Sequence, residues 1–190
     1  QTFYWGDVNN KKISNLSAFA DSFLEPHHLH KMLSKYIILA ETEKSLMVLR
    51  PYQYYATEKI ISRVENSTNN GYIWHTTGSG KTLTSFKASQ LLMDNPEVYK
   101  VVFVVDRRDL DFQTTKEFNN FSDGSVDGTD NTKALVKQFG DDTKLIVTTI
   151  QKLNNAIGSS RYESTMVHLK EKRIVFIFDE CHRTQFGETH

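Results

Sequence analysis

The order of apolar runs along this chain predicts an α/β fold with a mostly parallel sheet flanked by helices, preceded by a short helical segment. Three observations carry it. Tyr72 to His75, Val101 to Val105, Leu145 to Thr148 and Ile174 to Phe178 are short, continuous apolar runs. Runs of that kind, without alternation, are expected of strands buried on both faces. Between the first two, Lys81 to Met93 has the length and composition of a helix. Strands separated by helical stretches imply crossover connections and therefore a parallel sheet.

The elements follow in order. Residues 1 to 45 show little β-branched alternation, but Leu29, Met32, Leu33, Tyr36 and Ile37 recur at helical spacing. They predict a helix over roughly 26 to 40, with Pro26 near its start. A second helix is expected after Pro51, with Tyr55, Ile60, Ile61 and Val64 as its buried face. Asn66 to Gly71, all polar or glycine, breaks the chain. Asn120 to Asn131, with Gly124 and Gly128 among Ser and Asp, is expected to be an exposed loop. No internal repeat is visible. The chain thus divides into a helical linker, residues 1–45, and a main domain, residues 46–190.

Composition bounds the class. With 190 residues, 38% of them apolar and 24% charged, the chain suits one sizeable core. Lys and Arg number 23 and so do Asp and Glu, giving a formal net charge of zero. Any nucleic-acid contact is therefore expected to be local, or completed by parts of the protein outside this segment. A single cysteine, Cys181, excludes an internal disulfide and suits a reducing, cytoplasmic compartment. No apolar run approaches the roughly 18 residues of a membrane span. The start, without Met and lacking a basic-then-apolar pattern, is not a signal peptide and suggests an excised segment.

The sharpest chemistry lies in His75-Thr76-Thr77-Gly78-Ser79-Gly80-Lys81-Thr82, between an expected strand and an expected helix. That is the setting of a phosphate-binding P-loop. Gly78 and Gly80 allow the backbone to turn and aim its N–H groups at phosphate oxygens. The helix beginning at Lys81 points its positive end the same way. Lys81 can reach the β- and γ-phosphates, and the Thr82 hydroxyl can ligate Mg2+. The long form of the motif wants Gly where His75 stands; the shorter T-G-x-G-K-T form does not. A glycine turn with an incidental lysine is the bland alternative, and the specificity of the string argues against it.

Downstream, the apolar run Ile174 to Phe178 ends in Asp179-Glu180-Cys181-His182. In open parallel sheets ligands sit at the carboxyl ends of strands. Asp179 is placed to hold Mg2+, and Glu180 to position or deprotonate an attacking water. Alone, an acidic pair after a strand is common; beside a phosphate loop it becomes the second half of one site.

The pattern D-E-x-H after an apolar strand resembles motif II of superfamily 2 helicases. Leu49-Arg50-Pro51-Tyr52-Gln53 resembles the adenine-reading Q-motif region, in which the Gln53 amide would donate to and accept from the base. Val104 to Leu110 and Ile146 to Lys152 resemble motif Ia and the Thr-Thr motif that follows it. By that resemblance Arg107, Arg108, Thr148, Thr149 and Lys152 would meet the nucleic-acid backbone. The wording together (W-H-T-T-G-S-G-K-T, V-D-R-R-D-L, T-T-I-Q-K-L, F-D-E-C-H-R) is similar to the restriction subunit of type I restriction-modification enzymes. The resemblance covers roughly residues 45 to 190, and Ser22 to Pro26 resembles the linker from a nuclease domain.

What the resemblance implies is a first RecA-like ATP-binding domain. It would use ATP and Mg2+ with Thr77, Gly78, Ser79, Gly80, Lys81 and Thr82 around the phosphates. ATP hydrolysis would drive translocation on duplex DNA before remote cleavage, with a second RecA-like domain and with modification and specificity subunits as partners. His182 would couple the ATP site to the partner domain or to DNA. No nuclease pattern is present, and a first domain alone would bind nucleotide but barely turn it over.

Other readings are weaker. His27, His28, His30, Cys181 and His182 could ligate zinc, but their spacing matches no recognised finger. No G-x-S-x-G supports a serine nucleophile. A repair or remodelling ATPase of the same superfamily is the rival within the enzyme class. A module that senses ATP without hydrolysing it is the rival outside that class, and the presence of both Lys81 and Glu180 disfavours it.

Overall fold

A computed structural model of the chain describes residues 4–40, 44–76, 78–105, 114–119, 127–128 and 131–179. The chain forms two compact units, residues 1–91 and 92–190.

The first unit begins with a tight reversal. Asp7 Oδ1 accepts from the backbone N–H groups of Asn9 (2.9 Å) and Lys11 (2.8 Å), and Gly6 bridges Lys12. This turn sets Trp5 into an aromatic cluster, its ring 4.7 Å from Phe23, 5.5 Å from His28 and 5.7 Å from Tyr54. Helix α1 (Leu16–Phe23) starts where Asn15 Oδ1 accepts the Ala18 N–H, satisfying one of the first-turn donors. Helix α2 (Pro26–Lys31) has Pro at its first position and Glu25 as its cap, then widens into a π-helical turn over Met32–Tyr36.

There the expected helix over 26–40 stops, because Ile37–Ala40 is a strand, β1. It pairs antiparallel with β2 (Ser45–Val48), Ile38 opposite Met47. Ile38 and Ala40 point inward and Ile37 and Leu39 outward, so a period of two takes over from the helical one. Of the expected stripe, Met32 and Tyr36 are buried while Leu33 is exposed. Helix α3 (Pro51–Asn66) buries its first two turns, Pro51, Gln53, Tyr54, Ala56 and Thr57. Ile60, Ile61 and Val64, expected to be its core face, are only half-buried. Helix α4 (Lys81–Met93) runs over the predicted span and carries the chain into the second unit.

The second unit is a parallel sheet in the order β4-β5-β3-β6. Central β3 (Lys100–Val105) sets Val101 beside Leu145 of β5 (Leu145–Thr149) and beside Val175 of β6 (Ile174–Phe178). All of β3 and β5 is buried, as continuous apolar runs require. Val102, Val104 and Ile146 pack on α6 (Thr132–Gly140), α7 (Ile150–Gly158) and α8 (Glu163–Leu169) through Leu135, Phe139, Leu153, Ala156 and Leu169. Phe103, on the opposite face, meets Phe118 of α5 (114–119) at 5.2 Å. Helices therefore cover both faces. Lys100, a charge at the start of the central strand, is buried with its Nζ donating to the carbonyls of Asp141 (2.6 Å) and Thr143 (2.7 Å).

Two further expectations change. Asp127–Gly128 is a two-residue strand, β4, pairing parallel with Ile146 and Val147, not loop. Tyr72 to His75 belongs to no strand among the described residues, and Tyr72, Ile73 and Trp74 are exposed. An apolar run carries the propensity for a strand, but burial and pairing come from neighbours. No described helix is long and apolar enough to cross a membrane.

Candidate functional site

The glycine loop lies in the first unit, between residues 71–76, which belong to no helix or strand, and the start of α4. Gly78 (φ 74°) and Gly80 (φ 77°) both adopt the left-handed region that side chains disfavour. A Cβ on Gly78 would meet nothing within 4 Å, so the loop is open there. A Cβ on Gly80 would stand 2.4 Å from Gln53 Nε2, so a side chain there would displace the Gln53 amide, while the left-handed torsion favours glycine in its own right. Lys81 and Thr82 open α4 and are half-buried. Thr84 closes the first turn, its N–H and hydroxyl both donating to the Gly80 carbonyl at 3.1 Å.

Ser79 is tied on every side. Its N–H and hydroxyl donate to the Thr76 carbonyl (3.2 and 2.7 Å), and its Oγ lies 3.0 Å from His75 Nδ1. Burial, then the Lys81 charge, hold the His75 imidazole below its ordinary pKa. The Ser79 carbonyl accepts from Tyr52 Oη and Gln53 Nε2, each at 3.0 Å. Gln53 is 4% exposed, and its Oε1 also accepts the Arg50 N–H at 2.9 Å. Its amide is thus directed at the loop, not at open space.

In the second unit, the Asp179 N–H donates to the Val104 carbonyl at 3.0 Å. This extends the β3–β6 ladder and places Asp179 at the carboxyl end of β6, on the sheet edge where β3 and β5 also end. Thr148 and Thr149 finish β5 and are buried, and Thr149 Oγ1 accepts the Lys152 N–H (3.3 Å) as the cap of α7. Thr149 thus serves as a helix cap while Thr148 lies buried within the strand, and the half-buried Lys152 sits in the first turn of α7. Thr77, Arg107, Arg108, Glu180, Cys181 and His182 lie outside the described residues.

The structure therefore gathers Gln53, Ser79, Gly80 and the start of α4 in one unit, and Asp179 and Thr149 along one sheet edge in the other. An open left-handed glycine turn at a helix N-terminus with a lysine in its first position suits a phosphate group. Sequence reasoning missed Tyr52 and the His75–Ser79 contact. Tyr52 stands next to Gln53, yet no local pattern marks its hydroxyl as reaching a loop so far along the chain.

Comparison with known proteins fits this arrangement. Residues 52–190 match the SWI2/SNF2 ATPase family. Over 99% of its length the chain is 54% identical to the type I restriction enzyme SsaAORF53P endonuclease subunit of Staphylococcus saprophyticus, covering 20% of that protein. A second relative is the C-terminal part of the putative type I restriction enzyme MpnIIP endonuclease subunit of Mycoplasma pneumoniae. The identity there is 45% over 97% of this chain and 95% of that protein. With the HindI endonuclease subunit of Haemophilus influenzae it shares 28% identity over 92% of its length and 18% of that protein. The chain belongs to the SWI2/SNF2 ATPase family and to the endonuclease subunits of type I restriction enzymes. It spans about a fifth of the length of the staphylococcal relatives.

Proposed function

We propose that this chain is the ATP-binding half of a duplex-DNA translocase in a type I restriction enzyme, a first RecA-like domain over residues 46–190 with residues 1–45 linking it to a nuclease domain. The observation that carries the reading is the glycine loop: two left-handed glycines deliver Lys81 and Thr82 to the first turn of a helix, inside a region that matches an ATPase family. Bound Mg2+-ATP would supply the free energy of γ-phosphoryl transfer to water. Lys81 would neutralise charge on the β- and γ-phosphates, the loop N–H groups would orient them, and Thr82 and Asp179 are the proposed residues for the metal. Glu180 orients and deprotonates the water. Arg107, Arg108 and Lys152 are the proposed cationic contacts to the DNA backbone, Thr148 and Thr149 the proposed hydroxyl contacts should that edge open, and His182 the coupling residue. A second RecA-like domain, and modification and specificity subunits, are the proposed partners in a cytoplasmic complex.

The test is calorimetric titration of the 190-residue chain with Mg2+ and a non-hydrolysable ATP analogue, beside Lys81→Ala, with circular dichroism to confirm folding. Binding that is lost in Lys81→Ala supports the reading. A folded parent chain that does not bind, or a variant that binds as well as the parent, overturns it.

A further inference from the structure

The two donors on the Ser79 carbonyl come from adjacent residues in the first turn of α3, and they differ in kind. Gln53 offers an amide, Tyr52 a hydroxyl at the end of a stiff ring, and both stand 3.0 Å from the same oxygen. We infer that Tyr52 is a positioning residue for the phosphate loop: its hydroxyl fixes the Ser79 carbonyl while the Gln53 amide turns to a purine base. The inference rests on the reading of Gln53 as the base-reading residue.

The physical reason begins with the peptide plane. The Ser79 carbonyl and the Gly80 N–H belong to one rigid trans unit and point in opposite directions. Holding the oxygen towards α3 therefore aims the Gly80 N–H away from α3, where it can serve as a donor to phosphate. With φ at 77°, Gly80 is a soft joint, and an untethered plane would swing. Gln53 alone cannot hold it and also read a base. Its oxygen already accepts from Arg50, its nitrogen donates to Ser79, and the residue is nearly buried. Presenting its edge to a purine requires the amide to leave the carbonyl and the place beside Gly80 that a Cβ would contest. A half-buried carbonyl stripped of its donor is costly. Tyr52 removes that cost, because a carbonyl oxygen has two lone pairs and the second is already filled. The His75 ring stands edge-on to the Tyr52 ring, 6.1 Å between centres, and limits its swing.

The experiment uses the 190-residue chain with two probes, Mg2+ tripolyphosphate, which has no base, and Mg2+ with a non-hydrolysable ATP analogue. Parent, Tyr52→Phe, Gln53→Ala and Lys81→Ala are titrated by calorimetry, and amide hydrogen exchange is followed without ligand. Tyr52→Phe is expected to weaken both probes alike, roughly two- to tenfold, as for one net hydrogen bond. It should also speed exchange at residues 79–82 and nowhere else. Gln53→Ala should weaken the analogue more than tripolyphosphate. Unchanged affinities and unchanged exchange in Tyr52→Phe overturn the inference, and so does a loss confined to the analogue. Lys81→Ala binding both probes as the parent does would instead sink the nucleotide-site reading, and equal losses in Gln53→Ala would sink Gln53 as base reader. Both failures are distinct from a failure of Tyr52.

Discussion

His28 stands among aromatic edges, its ring 5.5 Å from Trp5, 5.5 Å from Phe23 and 5.2 Å from Tyr54, with Nε2 buried and lacking a hydrogen-bond partner. Burial first, and the Lys31 charge second, push its pKa below the ordinary 6.5, while Glu25 and Glu58 pull the other way. A histidine with a depressed folded pKa binds its proton more readily in the unfolded chain. Stability is therefore kept above pH 6.5 and lost as pH falls through the folded value. His75 in the glycine loop has the same sign. His28→Phe should flatten the decline in melting temperature just below pH 6.5, leaving the part due to His75. Equal slopes in parent and variant would show that His28 titrates normally. Nearby, Tyr36 and Lys31 both donate to Glu58, and burial raises the Tyr36 phenol above its usual range and the Tyr54 phenol to about 12. These phenols stay neutral hydrogen-bonding groups at any physiological pH.

Among elements, the β5–α7 junction joins a buried strand directly to a helix with one threonine serving both. Thr149 ends the ladder opposite Val105 and caps α7 through its hydroxyl. Thr149→Ala should cost about 1 kcal/mol by chemical denaturation, while Thr149→Ser, which keeps the acceptor, costs much less. Similar losses for both would mean that the methyl packing, not the cap, matters. The same junction shows why this element was legible: Leu145 to Thr148 is apolar and β-branched, and Thr149 is a good cap wherever it falls. The helix expected over 26–40 was not, because Ile37 continues the helical stripe of Leu29, Met32, Leu33 and Tyr36 as readily as it opens a strand. Only pairing with Ser45–Val48 decides between them.

Over the whole molecule, the sharpest departure is Tyr72 to His75. Trp74 is 88% exposed, whereas the other tryptophan, Trp5, is 6% exposed. Trp74→Phe should therefore remove the red-shifted, readily quenched part of the fluorescence and leave a shielded emission from Trp5. If the quenchable component survives the substitution, it arises from Trp5, and the contrast in exposure between the two tryptophans is overturned. Phe176 and Phe178 on β6 are also two-fifths exposed, so burial falls off from the centre of the sheet to this strand. The sequence by itself determined the α/β class, the spans of α4, β3 and β6 and the glycine loop, because periodicity, the demand for left-handed glycine and a rare residue string are local properties. It also carried the family. Tertiary structure alone decided that Gln53 faces the loop instead of open space, that Tyr52 shares its carbonyl, that Lys100 is buried under two carbonyls and that Thr148 is sealed inside the sheet. Those facts depend on which distant backbone groups come within hydrogen-bonding reach, and no window of sequence contains both partners.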